Sequence, residues 1–193
     1  MASKPATPAK AKPTTEQVFK ELSAKLPFGA SEADRDARKK LWSLFDVNGN
    51  NLLSLAEVDK GVKEMNLPAL FDLKPVLMRA FTAARSKGPK TTSNADEYVS
   101  PGEFRYLLAF LRQYYELWLM FDAVDADDDR RISKAEFEAA KDKLVKWGMA
   151  ASGDHWAAID ANGGGVVLFD EFCEWAIKQK LDHDQDDDAP TVQ

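Results

Sequence analysis

The stretch Asp125–Glu136 reads DADDDRRISKAE and carries oxygen-bearing side chains at a regular spacing. With Asp125 counted as position 1, the side chains at positions 3, 5, 9 and 12 belong to Asp127, Asp129, Ser133 and Glu136. Calcium is a hard cation that takes oxygen ligands, and a 12-residue loop can supply them from these positions and from the backbone carbonyl of position 7, here Arg131. The stretch therefore predicts a calcium-binding loop between two helices.

Two other positions of this loop bear on the prediction. Position 6 lies in a sharp turn that favours glycine, and Arg130 stands there, at a cost of about 1–2 kcal/mol for a left-handed backbone. Position 8 is Ile132, an apolar residue suited to pairing with a partner loop. A chance acidic turn would not explain Ile132, Glu136 and the flanking amphipathic helices together, so we favour an EF-hand.

A second candidate loop, Asp46–Glu57, reads DVNGNNLLSLAE. Its ligands would be the side chains of Asp46, Asn48, Asn50, Ser54 and Glu57 and the carbonyl of Leu52. Only two of these ligands are charged, against four in the Asp125 loop, so we expect a lower calcium affinity. A vestigial loop that folds without metal is the alternative.

Two further loops match the pattern less well. Asp160–Glu171 keeps Asp160, Asn162 and Glu171, but positions 5 and 9 are Gly164 and Leu168, so binding is open and weak if present. The remaining loop is placed by Glu103 at position 12, which puts Thr92, without a carboxylate, at position 1, followed by Asn94 and Asp96. We predict that this loop is structural.

Apolar residues recur with helical period between the loops, so the predicted fold class is all-α. We expect two EF-hand pairs, with four hands of which one or two are degenerate, joined by a long apolar helix over residues 103–121. Small two-stranded bridges should pair Leu53 with Val99 and Ile132 with Val167. A further helix is predicted over Thr15–Leu26, and Cys173 lies on an apolar stripe typical of a buried core.

Composition divides the chain into five segments. Residues 1–14 form a basic tail and residues 182–193 an acidic tail, and neither has enough apolar residues to offset the entropy of ordering. Between them we place an N-terminal helix and linker at 15–35, an N-terminal EF-hand lobe at 36–110 and a C-terminal lobe at 111–181. Because the connecting helix is apolar, we predict that the two lobes pack against each other.

Several function classes are disfavoured. A net charge of −6 and a pI near 5.1 argue against nucleic-acid binding. No apolar run reaches the ~18 residues of a membrane span, and the N-terminus lacks the apolar core of a signal peptide, so a soluble intracellular protein is expected. The only histidines are His155 and His183, and no nucleophile motif is visible, so we expect no enzyme.

The stretch FRYLLAFLRQYYELWLMFDAVDADDDRRISKAEF, residues 104–137, resembles the flagellar calcium-binding proteins, or calflagins, of trypanosomatids. The KWG at 146–148 and the KLD at 180–182 resemble them too, and the similarity spans roughly residues 36–188. The resemblance implies a calcium sensor in the flagellum or cilium. That family carries an N-terminal Gly and Cys for paired acylation, whereas residue 2 here is Ala, so no stable membrane anchor is expected.

Three functional hypotheses follow. The first is a calcium-responsive sensor that exposes an apolar lobe surface to a protein partner. The second is a structural, microtubule-associated protein of the axoneme, held to acidic tubulin by Lys4, Lys10 and Lys12 of the basic tail. The third is a cytosolic calcium buffer, which the mismatched loops disfavour. We expect the flagellar or ciliary axoneme as the location, and otherwise the cytoplasm.

Overall fold

Helices dominate residues 15–88 and 97–181, the part of the chain that this computed structural model describes. The basic tail, the acidic tail and the positions Thr92, Asn94 and Asp96 lie outside it. In chain order the helices and strands are α1 (Thr15–Lys25), α2 (Glu32–Phe45), α3 (Leu55–Glu64), a 3-10 turn (Pro68–Leu70), α4 (Lys74–Arg85), α5 (Phe104–Val124), β1 (Ile132–Ser133), α6 (Lys134–Ala139), α7 (Lys141–Lys146), α8 (His155–Ile159), β2 (Val166–Val167) and α9 (Phe169–Gln179).

The loops pair in the predicted registers. Leu53 and Val99 exchange both backbone hydrogen bonds, with N···O distances of 2.8 and 3.0 Å. Strands β1 and β2 are antiparallel, and Ile132 faces Val167. All four of these position-8 side chains are fully buried, so the bridges are anchored by apolar contacts as well as by hydrogen bonds. The all-helical fold with small bridges is confirmed, while the count of four hands stays a prediction.

Helix α5 is the continuous apolar helix that the sequence predicted. It has no internal Gly or Pro and buries thirteen of its 21 residues. Its C-terminal half contacts the start of α9 through aromatic rings: Phe121 lies 5.6 Å from both Phe169 and Phe172, measured between centroids. The helix also packs on α4, and one buried cluster runs through both loop pairs. The predicted lobe boundary at 110/111 falls inside this helix.

The N-terminal helix α1 is docked on this core. Val18, Phe19, Leu22 and Leu26 are buried, and the Phe19 ring meets Tyr115 of α5 edge-on at 5.9 Å. Lys25 donates its Nζ to the carbonyl oxygens of Met65 and Asn66, at 3.2 and 2.7 Å. These contacts tie α1 both to α5 and to the end of α3.

The chain after β1 departs from a single helix. The predicted stripe of Phe137, Ala140, Leu144 and Trp147 is divided between α6 and α7, which meet at Ala140 (φ −89°, ψ 0°). Beyond this break, Lys143 donates its Nζ to the carbonyl oxygen of Ala123 at 2.8 Å. This bond links α7 to the last turn of α5, on the other flank of the Asp125 loop.

A polar contact joins the two halves of the molecule at the surface. Arg79 of α4 lies 2.7 Å from an Asp170 carboxylate oxygen and 3.6 Å from Glu174, both of α9. The two carboxylates are largely exposed, so this network contributes less to stability than the aromatic contacts of α5.

Gly61 allows α3 to approach α2 closely. A Cβ atom added at Gly61 would lie 2.5 Å from two atoms of the Phe45 ring, and both residues are buried. The substitution Gly61→Ala should therefore lower the free energy of unfolding by about 1–3 kcal/mol through overpacking, although alanine favours helix by about 1 kcal/mol.

Urea denaturation measures this change. The control is Lys60→Ala, an exposed position of the same helix, which should shift the free energy of unfolding by less than about 0.5 kcal/mol. A Gly61→Ala variant as stable as the parent would contradict the close packing of α2 and α3.

Candidate metal centre

A glutamate closes each loop in the same way. One carboxylate oxygen of the position-12 residue accepts a hydrogen bond from the backbone N–H of position 9. The four donor–acceptor pairs are Ser54–Glu57 at 2.9 Å, Ser100–Glu103 at 2.8 Å, Ser133–Glu136 at 2.8 Å and Leu168–Glu171 at 3.1 Å. The predicted register of the loop ending at Glu103 has this geometry too, where the structure describes it.

The Asp125 loop gathers the densest negative charge. Carboxylate oxygens of Asp125, Asp127 and Glu136 lie within 4.8 Å of one another, a grouping found only here among the described residues. Asp129 accepts a hydrogen bond from the Arg131 N–H at 2.8 Å, and the Ser133 hydroxyl donates to Glu136 at 2.7 Å. Three of the predicted ligands are thus brought together, and three converging carboxylates fit a divalent hard cation.

Hydrogen bonds and burial act in opposite directions on the two end ligands. Burial raises the pKa of Asp125 and Glu136 adds to this, while the N–H groups of Arg130, Asp129 and Asp128 oppose it. The pKa of Glu136 is lowered, chiefly by hydrogen bonds from the N–H and hydroxyl of Ser133. Glu136 is therefore held ionised, in the form that a metal ligand needs.

Position 6 has the left-handed backbone that the loop pattern requires. Its φ is 66° at Arg130, 59° at Asn51 and 77° at Gly165. In each case the N–H donates to the position-1 aspartate, at 2.8, 3.0 and 3.1 Å respectively. The Arg130 strain expected from the sequence is present, and its N–H holds Asp125 in place.

The Asp46 loop has similar backbone hydrogen bonds, but its closing glutamate has a different partner. Asp46 and Asn48 both accept from the Asn50 N–H, at 3.1 and 2.9 Å, and Asn50 accepts from the Leu52 N–H at 2.8 Å. The Asn48 amide, however, donates to the Glu57 Oε1 atom at 2.6 Å. Calcium would have to displace this bond, which is a second reason, beyond charge, for a lower affinity.

The loop at Asp160–Glu171 has the same bond between positions 3 and 12, with the Asn162 amide 2.5 Å from Glu171. The Oδ1 atom of Asp160 is buried and has no hydrogen-bond partner among the described residues, an arrangement that a cation would satisfy. Gly164 and Leu168 supply no side-chain oxygen, so the set of ligands is incomplete.

Glu103 is engaged elsewhere. It is 8% exposed, and its Oε1 atom accepts a hydrogen bond from the Gly88 N–H at 3.1 Å, while Oε2 accepts from Ser100. The carboxylate therefore joins its loop to the chain after α4. These contacts give Glu103 a structural role, and the Gly88 contact was not foreseen. That its loop binds no metal stays a prediction.

Comparison with known proteins places the chain. The FCaBP EF-hand domain family matches residues 22–111. The flagellar calcium-binding protein of Trypanosoma cruzi is 34% identical over 159 residues, covering 80% of this chain and 75% of that protein. The protein TB-24 of Trypanosoma brucei brucei is 35% identical over 158 residues, covering 77% and 72%. The chain belongs to the flagellar calcium-binding protein family.

The family assignment confirms the resemblance seen in the sequence and the assignment of Ca²⁺ as the bound ion. The matched domain covers the first loop pair, whereas the resemblance was noted mainly at residues 104–137, so the two observations cover most of the chain between them. Proteins of this family are calcium-binding EF-hand proteins. Within the described residues, no helix is long and apolar enough to cross a membrane.

Cys173 and His155 are both held by their surroundings. Cys173 is fully buried in α9, and burial raises the pKa of its thiol, so it is inert as a nucleophile. A ring nitrogen of His155 lies 2.9 Å from the Ala150 carbonyl oxygen. Cys173 is thus the small buried core residue that the sequence predicted.

One contact at the first loop was missed by sequence reasoning. The Trp42 indole N–H donates to the Oδ2 atom of Asp46 at 3.1 Å. The i, i+4 spacing of Trp42 and the C-cap residue Asp46 at the end of α2 was a signal that could have predicted it.

Glu136→Gln should weaken the tightest calcium site, because it removes anionic oxygen from the ligand that closes the loop. Mutation of residues that only hydrogen-bond to a metal ligand lowers metal affinity about 10- to 100-fold. We expect at least that loss when a ligand itself is changed. Calorimetric titration measures it. Glu138→Gln is the matched control, since this glutamate is exposed, pairs with Lys141 and should leave the site intact. Survival of the tightest step in Glu136→Gln would refute the assignment of the site.

Glu103→Gln should leave the number of bound calcium ions unchanged and lower the free energy of unfolding by about 1–3 kcal/mol, because buried hydrogen bonds to a carboxylate are weakened. Calorimetry and urea denaturation in a calcium chelator give the two readouts. A lost calcium site, or unchanged stability, would contradict the structural role of Glu103.

Proposed function

We propose that the protein binds Ca²⁺ in the flagellum or cilium chiefly through its loops at 125–136 and 46–57. The flagellar location comes from the relatives, which are named as flagellar calcium-binding proteins. The observation that carries the main calcium site is the convergence of Asp125, Asp127 and Glu136 within 4.8 Å. The proposed ligands are those of the sequence pattern, with the carbonyls of Arg131 and Leu52 at position 7.

The two loops should differ in affinity. Calcium binding to the Asp125 loop is favoured by four charged ligands. The Asp46 loop has only two charged ligands, and calcium must break the Asn48–Glu57 hydrogen bond to bind there. In the Asp125 loop the Glu136 Oε1 atom accepts instead from the Ala126 N–H at 2.9 Å. The Asn48–Glu57 bond occupies two proposed ligands at once, whereas Ala126 is not a ligand of its loop.

The geometry favours a sensor over a buffer. Glu136 lies in the first turn of α6, so a movement of its carboxylate toward calcium would carry that helix with it. The break at Ala140 separates α6 from α7, so α6 can move relative to α7, which the Lys143–Ala123 bond holds to α5. Buffers need uniformly tight sites, whereas the loops here are unequal.

Calorimetric calcium titration with and without magnesium tests this proposal. We expect one tight step from the Asp125 loop that persists in magnesium, and at least one weaker step. Two or more equally tight steps would favour the buffer. A titration that shows no heat of calcium binding would refute calcium binding by this chain.

For the site of attachment we propose the axoneme, with the basic tail at residues 1–14 contacting acidic tubulin. Three lysines and no acid give this segment its charge. Detergent extraction of isolated flagella at moderate salt should leave the protein with the axoneme, and deletion of residues 1–14 should release it. Release of the full chain with the membrane proteins would contradict axonemal attachment. Retention of the deleted chain would move the contact to the helical core.

A further inference from the structure

A cationic and aromatic stripe runs along one face of α2. Arg35, Arg38, Lys39 and Trp42 follow the i, i+3, i+4, i+7 spacing, which places them on the same side of the helix. They line a cleft of about 380 Å³ whose opposite wall includes Phe104. A charged stripe on a surface helix ordinarily faces open solvent, but here it faces a concavity.

Two arginines, Arg38 in this cleft and Arg105 beside it, are held by backbone contacts. Arg38 is half-buried and donates its Nη1 to the carbonyl oxygens of Pro27 and Gly29, both at 2.7 Å. Arg105, from α5, donates its Nε to the Phe28 carbonyl oxygen at 2.7 Å. The segment at residues 27–29 therefore orients two guanidinium groups toward the same region.

These guanidinium groups repel one another. The pKa of Arg38 is lowered by burial and by the charges of Arg105 and Arg35, with Asp34 acting in the opposite direction. Among residues 15–88 and 97–181, no carboxylate lies within ion-pair distance of Arg35, Arg38 or Arg105, and Lys39 has only a long contact of 3.5 Å to Asp36. A bound anion would relieve this repulsion.

The apolar part of the cleft is aromatic. Trp42 is half-buried and meets the buried Phe104 ring edge-on, with centroids 5.1 Å apart and an interplanar angle of 88°. Its accessible indole surface lies beside the cationic side chains. An apolar or aromatic side chain could pack there while neighbouring acidic groups meet the arginines.

We propose that this cleft binds an acidic peptide segment of a protein partner, with an apolar or aromatic side chain against Trp42 and carboxylates at Arg35, Arg38 and Lys39. A flat anionic lipid surface fits less well, because Arg38 is half-buried within the concavity while Arg35 and Lys39 are exposed. The peptide chemistry also matches the neutral aromatic wall, which a headgroup layer would leave unused.

The cleft adjoins the first loop. Trp42 donates to Asp46, the position-1 residue of that loop, at 3.1 Å, and Asn51 at position 6 also lines the cleft. Calcium bound by Asp46 would compete for the oxygen that holds the indole, so peptide affinity should depend on calcium. This linkage, unlike the cleft itself, rests on the proposed calcium site at 46–57.

The test uses a fluorescently labelled peptide, Glu-Glu-Phe-Glu-Glu, and fluorescence polarisation with the full chain. The variant is Arg35→Gln with Lys39→Gln, two exposed positions whose loss should not disturb folding. The matched control is Lys40→Gln with Lys60→Gln, which has the same change in net charge at exposed positions that do not line the cleft. Circular dichroism confirms that both variants remain folded.

We expect saturable binding that weakens about fivefold in the Arg35/Lys39 variant and less than about twofold in the control, as for the loss of two exposed ion pairs. Equal binding by both variants would overturn the proposal, because net charge alone would then explain it. Equal affinity for a peptide of glutamates only would overturn the role of Trp42. Binding to phosphatidylserine vesicles with none to the peptide would assign the cleft to a membrane instead.

Repeating the titration in calcium and in chelator tests the linkage. Different affinities in the two conditions support it. Equal affinities, with calorimetry showing the first loop filled, would overturn the linkage alone. A first loop that takes up no calcium would overturn the linkage and that part of the proposed function, while the peptide titration still decides the cleft.

Discussion

At three of the four loops, the closing glutamate (Glu57, Glu136 or Glu171) also belongs to the first turn of the helix that follows. Glu57 and Glu136 each form a capping box with the serine three residues earlier, in which side chain and backbone satisfy each other's free groups. The same carboxylate is the bidentate calcium ligand of the loop pattern. Calcium bound by this carboxylate would therefore act directly on the start of the following helix, and the Leu53–Val99 and β1–β2 bridges join the paired loops.

This coupling acts on a core that the loop pairs share. Helix α5 leaves one pair and leads into the other, and its aromatic side chains pack against α9. A change at the Asp125 loop therefore reaches the helix that also supports the first pair. The docked α1 helix adds a further apolar contact to the same helix through Phe19 and Tyr115. Such sharing distinguishes this arrangement from two lobes on an exposed tether.

Sequence reasoning succeeded where the constraint is local and periodic. The position-8 residues predicted both bridges, because an apolar residue at a fixed distance from the closing glutamate is buried against the same position of the partner loop. The unbroken apolar period predicted α5. It failed where the contact depends on tertiary placement: Gly88 and Glu103 lie 15 residues apart in the chain, and the Asn48–Glu57 hydrogen bond depends on the orientation of an amide side chain. The break at Ala140 occurs within a run whose apolar spacing is that of a continuous helix, so periodicity could not reveal it.

The central claim is that the loops share one backbone geometry and that their calcium affinities follow the number of charged ligands in each. Residue-resolved ¹H–¹⁵N NMR spectra recorded during a calcium titration test this most directly, because each loop has its own reporter amide. The Arg130 N–H, which donates to Asp125, should shift first, followed by the Asn51 N–H, while the Ser100 N–H should remain in place. A response that begins at Asn51 or Ser100, with Arg130 unchanged, would contradict the account.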